Sequence, residues 1–383
     1  MTDQLSNFAA RLRADIVSVF DKNSFEPLVL ELFALQFARN PAYQKICEAR
    51  RLTPQKVGCW TQIPAVPMAA FKELELTSFA PGERTAVFHS SGTTEQKPSR
   101  HFHSAESLAI YESSLWSWFV ENVLGGFQLS TFNFQLLILT PPPAQAPHSS
   151  LVHMFETVRR NTGAVDSVFL GHAAADGSWT LDFAAALAVL GDNSKLKTQN
   201  PKLLLGTAFS FVHLLDFLAE KNLRFTLPPG SRVMETGGYK YRSRSLPKAE
   251  LHTLITERLG VTRGNIICEY GMSELSSQAY DGTVSSLEFG VSSSSSGAPT
   301  RNSKLETRNF FFPPWARAHI ISPETGREVA DGETGLVRVF DLANVFSVAA
   351  IQTEDMAVRR GDGFELIGRA QLAEPRGCSL MTA

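Results

Sequence analysis

Apolar residues recur at three- and four-residue spacing over residues 6–50, in "FAARLRADIVSVF" and "FEPLVLELFALQFARN", and predict helices there. "TQIPAVPMAAFK" is interrupted by Pro64 and Pro67 and reads as a connection. "RTAVFHS" reads as a strand, followed by the polar loop of residues 88–102 and then "HFHS". Residues 105–124, "AESLAIYESSLWSWFVENVL", form the longest amphipathic helical pattern. Short apolar runs then recur: "FQLLILT", "DSVFLG", "PKLLLGTAF", "SRVMETGG" and "NIICEYGM". Helical stretches such as "FVHLLDFLAEKN" and "LPKAELHTLITERLG" lie between several of them. Alternation of helices with near-continuously apolar strands predicts an α/β fold with a largely parallel sheet. After about residue 310, "HIISP", "GLVRVFDL", "VFSVAAIQTED" and "FELIGRA" are separated by turn signals and predict a small antiparallel, barrel-like section. The serines at 292–296 and "PPPAQAPHSS" read as loops, and the former is expected to be mobile. No internal repeat and no second domain with its own core is evident.

Composition narrows the partners. With 383 residues, 43% hydrophobic, the chain can bury a substantial core. A formal net charge of −2 gives no bulk attraction to nucleic acid or an anionic membrane surface. Cys47, Cys59, Cys268 and Cys378 form no C-x-x-C pair, which argues against a zinc cluster and for a reducing compartment. Charged residues interrupt the N-terminal apolar positions, unlike a signal peptide, and no apolar run reaches the ~20 residues of a membrane span. The expectation is a soluble, cytoplasmic protein.

Four segments carry candidate chemistry. In "FHSSGTTEQKPSRHF", small hydroxyl residues around Gly92 let backbone N–H and side-chain O–H groups face an anion together, with Lys97 as a nearby point charge. The spacing is not that of a P-loop, and such a loop is equally a plain hairpin turn. "CEYGMSE" runs from a strand into a glycine turn at Gly271. Tyr270 there could border a base, and Glu274 could hold Mg²⁺, which prefers oxygen ligands. Alone, these read as a core tyrosine and a solvated glutamate. In "QTEDMAVRRGDGFELIGR", Asp355 ends an apolar strand and could take two hydroxyls; Arg369 closes the next hairpin. In "ETGGYKYRSR", Gly237 and Gly238 leave room for a flat ligand at a strand end.

The order of these segments resembles the adenylate-forming superfamily of acyl-CoA synthetases, luciferases and adenylation domains, and its Gly-Gly form the phenylacetate–CoA ligase branch. The resemblance runs from about residue 88 to 369. It implies the large N-terminal domain of that superfamily, with sheets flanked by helices plus a small distorted barrel. It implies further that Ser90, Ser91, Gly92, Thr93 and Thr94 wrap the phosphates of ATP, with Lys97 nearby. Gly237, Gly238, Tyr270 and Gly271 would border the adenine, Ser273 and Glu274 would meet phosphate and Mg²⁺, Asp355 would hold the ribose, and Arg369 would sit near ribose or phosphate. Glu95 stands where the family has glycine, Ser273 where it has threonine, and the usual lid with its lysine is not read after Arg369. The division expected is residues 1–369 for the adenylate-forming domain and 370–383 for a short tail.

That tail, "AQLAEPRGCSLMTA", places Cys378 nine residues beyond Arg369. Arg376 nearby favours the thiolate, and nine extended residues reach about 30 Å. With the tail included, the chain resembles the LuxE-type acyl-protein synthetases. The resemblance implies an AMP-forming ligase that activates a carboxylic acid, a fatty acid, as acyl-AMP. The acyl group would pass to Cys378 and then to a partner reductase or acyltransferase. Glu274 and Lys97 would assist the first step. Two other readings stand beside it: an acyl-CoA ligase that borrows its acceptor, and an idle nucleotide-binding scaffold. His89, His101 and His103 could act as bases or simply be strand residues facing solvent. Trp116, Trp118 and Phe119 are read as core, and Cys47, Cys59 and Cys268 as structural.

Overall fold

The computed structural model describes residues 4–90, 97–125, 134–164, 166–191, 200–237, 243–282 and 308–369. The N-terminal helices follow the expected spacing. Helix α1 (Gln4–Val17) buries Leu5, Phe8, Leu12 and Ile16 along one stripe. Helix α2 (Phe25–Arg39) ends at Asn40, which also caps α3 (Pro41–Ala49). The Asn40 side chain accepts from the Tyr43 N–H, and Pro41 occupies the first helical position, where no N–H is needed.

The segment read as a connection carries two short elements, β1 (Val66–Pro67) and α4 (Ala70–Glu73). Pro67 is tolerated because β1 is a two-residue strand lying beside only one neighbour. Strands β2 (Ala86–His89) and β3 (Arg100–His103) pair as a hairpin around the polar loop. Helix α5 (Ala105–Asn122) starts at Ser104, which exchanges capping hydrogen bonds with Ser107.

Strands and helices then alternate as β4 (Gln135–Ile138), α6 (Ser150–Thr162) and β5 (Val168–Phe169). A small hairpin of β6 (Gly171–Ala173) and β7 (Trp179–Leu181) follows. Next come α7 (Phe183–Gly191), β8 (Lys202–Thr207), α8 (Ala208–Glu220), β9 (Arg232–Thr236), α9 (Lys248–Leu259) and β10 (Ile266–Tyr270). Strands β5, β4, β8, β9 and β10 lie side by side in parallel. Successive residues of these strands enter opposite cores. Leu203, Leu205, Met234 and Ile267 face the core shared with α5 and α6; Leu204, Val233 and Ile266 face α7, α8 and α9. This is why the strands read as continuous apolar runs.

The sheet continues through antiparallel partners. They are β11 (Ala279–Gly282), β12 (Asn309–Phe311), β13 (Ala316–Ile321), β14 (Thr334–Asp341), β15 (Ala350–Arg360) and β16 (Gly363–Arg369). The antiparallel section expected after residue 310 is therefore hydrogen-bonded to the parallel one through β16, β12 and β11. The α/β class stands. The first core also joins α1, α2 and α3 to the antiparallel strands: Trp60 packs against Phe25 and Phe340, and Trp315 against Phe20 and Trp118.

Candidate active site

In parallel α/β sheets the carboxyl ends of the strands form the ligand-facing edge. Here β9 ends at Thr236 and turns at Gly237, whose φ of +73° suits glycine. A Cβ at Gly237 would meet nothing within 4 Å among the described residues. Beside it, β10 ends in Glu269 and Tyr270. The Thr236 hydroxyl donates to the Glu269 carboxylate and ties the two strand ends together. Gly271 passes directly over that carboxylate; a Cβ there would press on Glu269 Oε1, so a larger residue would have to displace the Glu269 side chain from its place.

Tyr270 is buried, edge-on to Phe312 and Phe364 and tilted against Phe310, and its hydroxyl donates to Asp355 Oδ2 at 2.9 Å. The other oxygen of Asp355 lies 3.4 Å from Arg369 Nε, and the Arg369 side chain is 70% exposed. Two residues on adjacent strands that the sequence places 14 apart are thus paired across the β15–β16 ladder, where Asp355 and Arg369 are direct register partners. Thr353 Oγ1 accepts from the Asp355 backbone N–H and fixes the strand locally.

The Ser273–Glu274 turn is held from three sides. His101 Nδ1 lies 2.9 Å from the Ser273 carbonyl, and the Asn344 side chain donates to the Glu274 carbonyl at 2.9 Å. Asp341 accepts from the Ser276 and Ser277 N–H groups and from the Ser277 hydroxyl. The Ser273 hydroxyl donates to Glu274 Oε2 at 2.9 Å, and Glu274 is almost wholly buried rather than solvated. Burial pushes the Asp341 carboxyl up to about 6 against its hydrogen bonds, and burial with Glu235 nearby pushes Glu269 up to about 7.

On the hairpin, Ser90 and Ser99 exchange backbone-to-hydroxyl hydrogen bonds at 3.3 and 3.0 Å, extending the β2–β3 ladder toward the loop. Lys97 pairs with Glu73 of α4 at 3.3 Å, both side chains being exposed. Ser91, Gly92, Thr93, Thr94 and Glu95 lie outside the described residues, as do Gly238, the 292–296 serines and Cys378. The solvent-facing reading of the hairpin histidines fails for two of them: His101 and His103 are buried, on the inward face of β3. Their alternation in "RHFH" was the available signal. Sequence reasoning missed Glu269, Asp341 and Asn344, because nothing local marks a strand glutamate, a strand-end aspartate or a loop asparagine as buried. Cys47 is fully buried, Cys59 contacts the Thr61 hydroxyl, and Trp118 and Phe119 are core. No helix among the described residues is long and apolar enough to cross a membrane.

Comparison with known proteins gives the family and the fold. A curated relative, the long-chain-fatty-acid–luciferin-component ligase of Aliivibrio fischeri, is 23% identical over 372 residues, covering 94% of this chain and 87% of its own. Among solved structures, 2-hydroxyisobutyryl-CoA ligase bound to 2-HIB-AMP and CoA in its thioesterification state superposes with a TM-score of 0.61 at 13% identity. That match covers 92% of this chain and 70% of that one. Its open conformation gives 0.59 at 12% identity, covering 90% and 69%. These likenesses establish an adenylate-forming ligase fold. The model of the acyl-protein synthetase family LuxE matches residues 18–280, more than half of the chain. This chain therefore belongs to the LuxE acyl-protein synthetase family, a family of ligases.

Proposed function

We propose that the protein activates a carboxylic acid, in the first place a long-chain fatty acid, as its acyl-adenylate at the expense of ATP. The acyl group then passes to the thiol of Cys378 and onward to a partner protein. The observation that carries the reading is convergence. A hydrogen bond from His101 ties the hairpin bearing the Ser/Thr/Gly loop to the Ser273–Glu274 turn; another ties Tyr270 to Asp355, which forms an ion pair with Arg369. Residues spread over the chain thus form one frame at the carboxyl ends of β9 and β10.

The residues suit the ligand. Gly237 leaves open space where a flat base could lie against backbone. Asp355 presents a carboxylate able to exchange its Tyr270 and Arg369 partners for ribose hydroxyls. Ser90 and its loop neighbours, with Lys97, offer N–H, O–H and cationic groups for phosphate oxygens. No group of three or more His, Cys, Asp or Glu is clustered as a metal site among the described residues. Glu274 is the carboxylate that would hold Mg²⁺, which would supply charge neutralisation at the phosphates. Burial of Glu274 keeps that carboxylate in a low-dielectric setting, where its attraction for a cation is strengthened.

A carboxylate resists direct attack by a thiol because its leaving group would be oxide; AMP is a competent leaving group. Attack by the Cys378 thiolate on the activated carbonyl then forms a thioester and releases AMP. Arg376, two residues before Cys378, favours the thiolate. Intact-mass spectrometry after incubation with ATP, Mg²⁺ and a series of carboxylic acids tests this, with Cys378→Ala alongside. Expected is a hydroxylamine-sensitive acyl increment on the native protein and none on Cys378→Ala. Equal labelling of both would exclude Cys378 as acceptor. AMP and pyrophosphate formed without labelling would point to a separate acceptor.

A further inference from the structure

His101 lies on β3, near the end of the polar stretch and beyond its Ser/Thr/Gly positions, and is not among the residues assigned to the nucleotide. Its ring is buried and packs edge-on to Phe71, and it lies 4.3 Å from the His103 ring. Its Nδ1 faces the Ser273 carbonyl oxygen at 2.9 Å, across a sequence separation of 172 residues. A carbonyl oxygen only accepts, so Nδ1 carries the proton. Ser273 is also the residue whose hydroxyl donates to Glu274, so the peptide group gripped by His101 joins the two.

The neighbouring histidine shows that this bond is selective. The Ser107 hydroxyl accepts from the Ser104 N–H and donates to the Ser104 carbonyl, so it meets His103 Nδ1 as an acceptor. His103 Nε2 is then a buried lone pair without a partner among the described residues, and the Nδ1 hydrogen bond of His103 goes to the start of α5 rather than to the turn. His101 alone of the two spans from the hairpin to the turn. Burial lowers the His101 pKa to about 4, so the ring stays a neutral donor in ordinary buffers.

We propose that His101 is a positioning residue that locks the Ser273–Glu274 turn to strand β3, so that the β2–β3 hairpin and the Glu274 carboxylate act as one rigid frame. The proposal rests on the adenylate-forming reading above, since it assigns the frame its purpose. Without the bond the turn keeps Asn344 and Asp341 on its far side but loses its registration to the hairpin. The fold survives while the carboxylate drifts relative to the β2–β3 hairpin. A displacement of about 1 Å in such a frame costs about a hundredfold in rate.

Three variants separate positioning from bulk packing. His101→Leu removes the donor and keeps the volume. His101→Asn returns an amide N–H near the place of Nδ1, and His101→Gln sets its amide farther out, near Nε2. Two readouts are taken on each: ATP–pyrophosphate exchange with palmitate and Mg²⁺, and hydrogen–deuterium exchange of residues 272–277 in the protein alone. In His101→Leu the 272–277 amides should exchange about tenfold faster. Its kcat should fall about a hundredfold with the palmitate KM unchanged. His101→Asn should recover most of both, and His101→Gln neither. Native exchange rates and native kcat in His101→Leu would overturn the proposal. So would equal losses in all three variants that track their melting temperatures. If the native protein itself catalysed no exchange with any acid that labels it or with palmitate, the adenylation reading would fall and the positioning role with it. That outcome is distinct from a native protein that turns over and a His101→Leu variant that does so equally well.

Discussion

The Glu269 carboxyl shows how far one buried group departs from its ordinary behaviour. It lies at the ends of β9 and β10, bonded to the Thr236 hydroxyl, with Gly271 closing over it. Burial lifts it from 4.5 to about 7, and the nearby Glu235 adds to the rise. Between those values the folded protein holds a proton that the unfolded chain has released. Stability from this group is therefore complete below pH 4.5 and is lost as pH rises through 7. Asp341, lifted to about 6, acts in the same direction over a lower window. We predict that Glu269→Gln, which keeps the shape and removes the charge, flattens the decline. Relative to the native protein it should gain on the order of 3 kcal/mol between pH 4.5 and pH 8. Urea unfolding at several pH values measures the difference; a gap independent of pH would mean the carboxyl is not held neutral. Sequence reasoning reached Tyr270, one residue on, but not Glu269. A glutamate inside an apolar strand carries no local mark of whether it is buried, so its neighbours had to be seen.

At the scale of elements, the strands of the parallel half were legible because each runs apolar on both faces, and α5 because its stripe and its serine cap agree. Strands β11 and β12 were not, since "AYDG" and "NFF" are too short to show a period and pair only with distant partners. The four candidate segments were legible as an ordered series, while the connections between them were not. The turn of residues 272–277 illustrates this. It has no regular structure of its own and owes its shape to Asp341, at the end of β14. Asp341 takes the Ser276 and Ser277 N–H groups, the Ser277 hydroxyl and the Ala343 N–H. We predict that Asp341→Ala leaves the Ser276, Ser277 and Ala343 N–H groups without this acceptor in the interior, while the Ser277 hydroxyl keeps Ser114, and costs about 3–5 kcal/mol. The urea midpoint should fall with an unchanged slope. A loss below about 1 kcal/mol would show that water replaces the carboxylate freely, and would remove Asp341 from the supports of Glu274.

The whole molecule is bound together by contacts between its two ends. Gln36 of α2 donates to the carbonyls of Asn344 and Val345 and accepts from the Ala349 N–H, all buried and more than 300 residues away in sequence. Asn40, the α2–α3 junction, donates to the Ser347 carbonyl, and the Ser347 hydroxyl reaches the Leu76 carbonyl. The loop so gripped supplies Asn344, which holds the Glu274 carbonyl. The N-terminal helices thus support the candidate site without touching it, through the loop between β14 and β15. Since one core also spans both ends, the helices and the antiparallel strands should not unfold separately. Chains of this size commonly do unfold in stages, so coincidence is a real constraint. We predict that tryptophan fluorescence, sensitive to Trp60 and Trp315 at this junction, and far-ultraviolet circular dichroism give the same urea midpoint. Gln36→Leu leaves the Val345 carbonyl and the Ala349 N–H without their Gln36 partner, while the Asn344 carbonyl keeps the Ser347 N–H, and should lower both midpoints together, by about 2–4 kcal/mol in stability. Two separated transitions, with Gln36→Leu moving only the earlier one, would instead make residues 4–50 an independent cap. The loop would then be held chiefly by its own hydrogen bonds, and Asn344 would keep its place on Glu274 after the helices had gone.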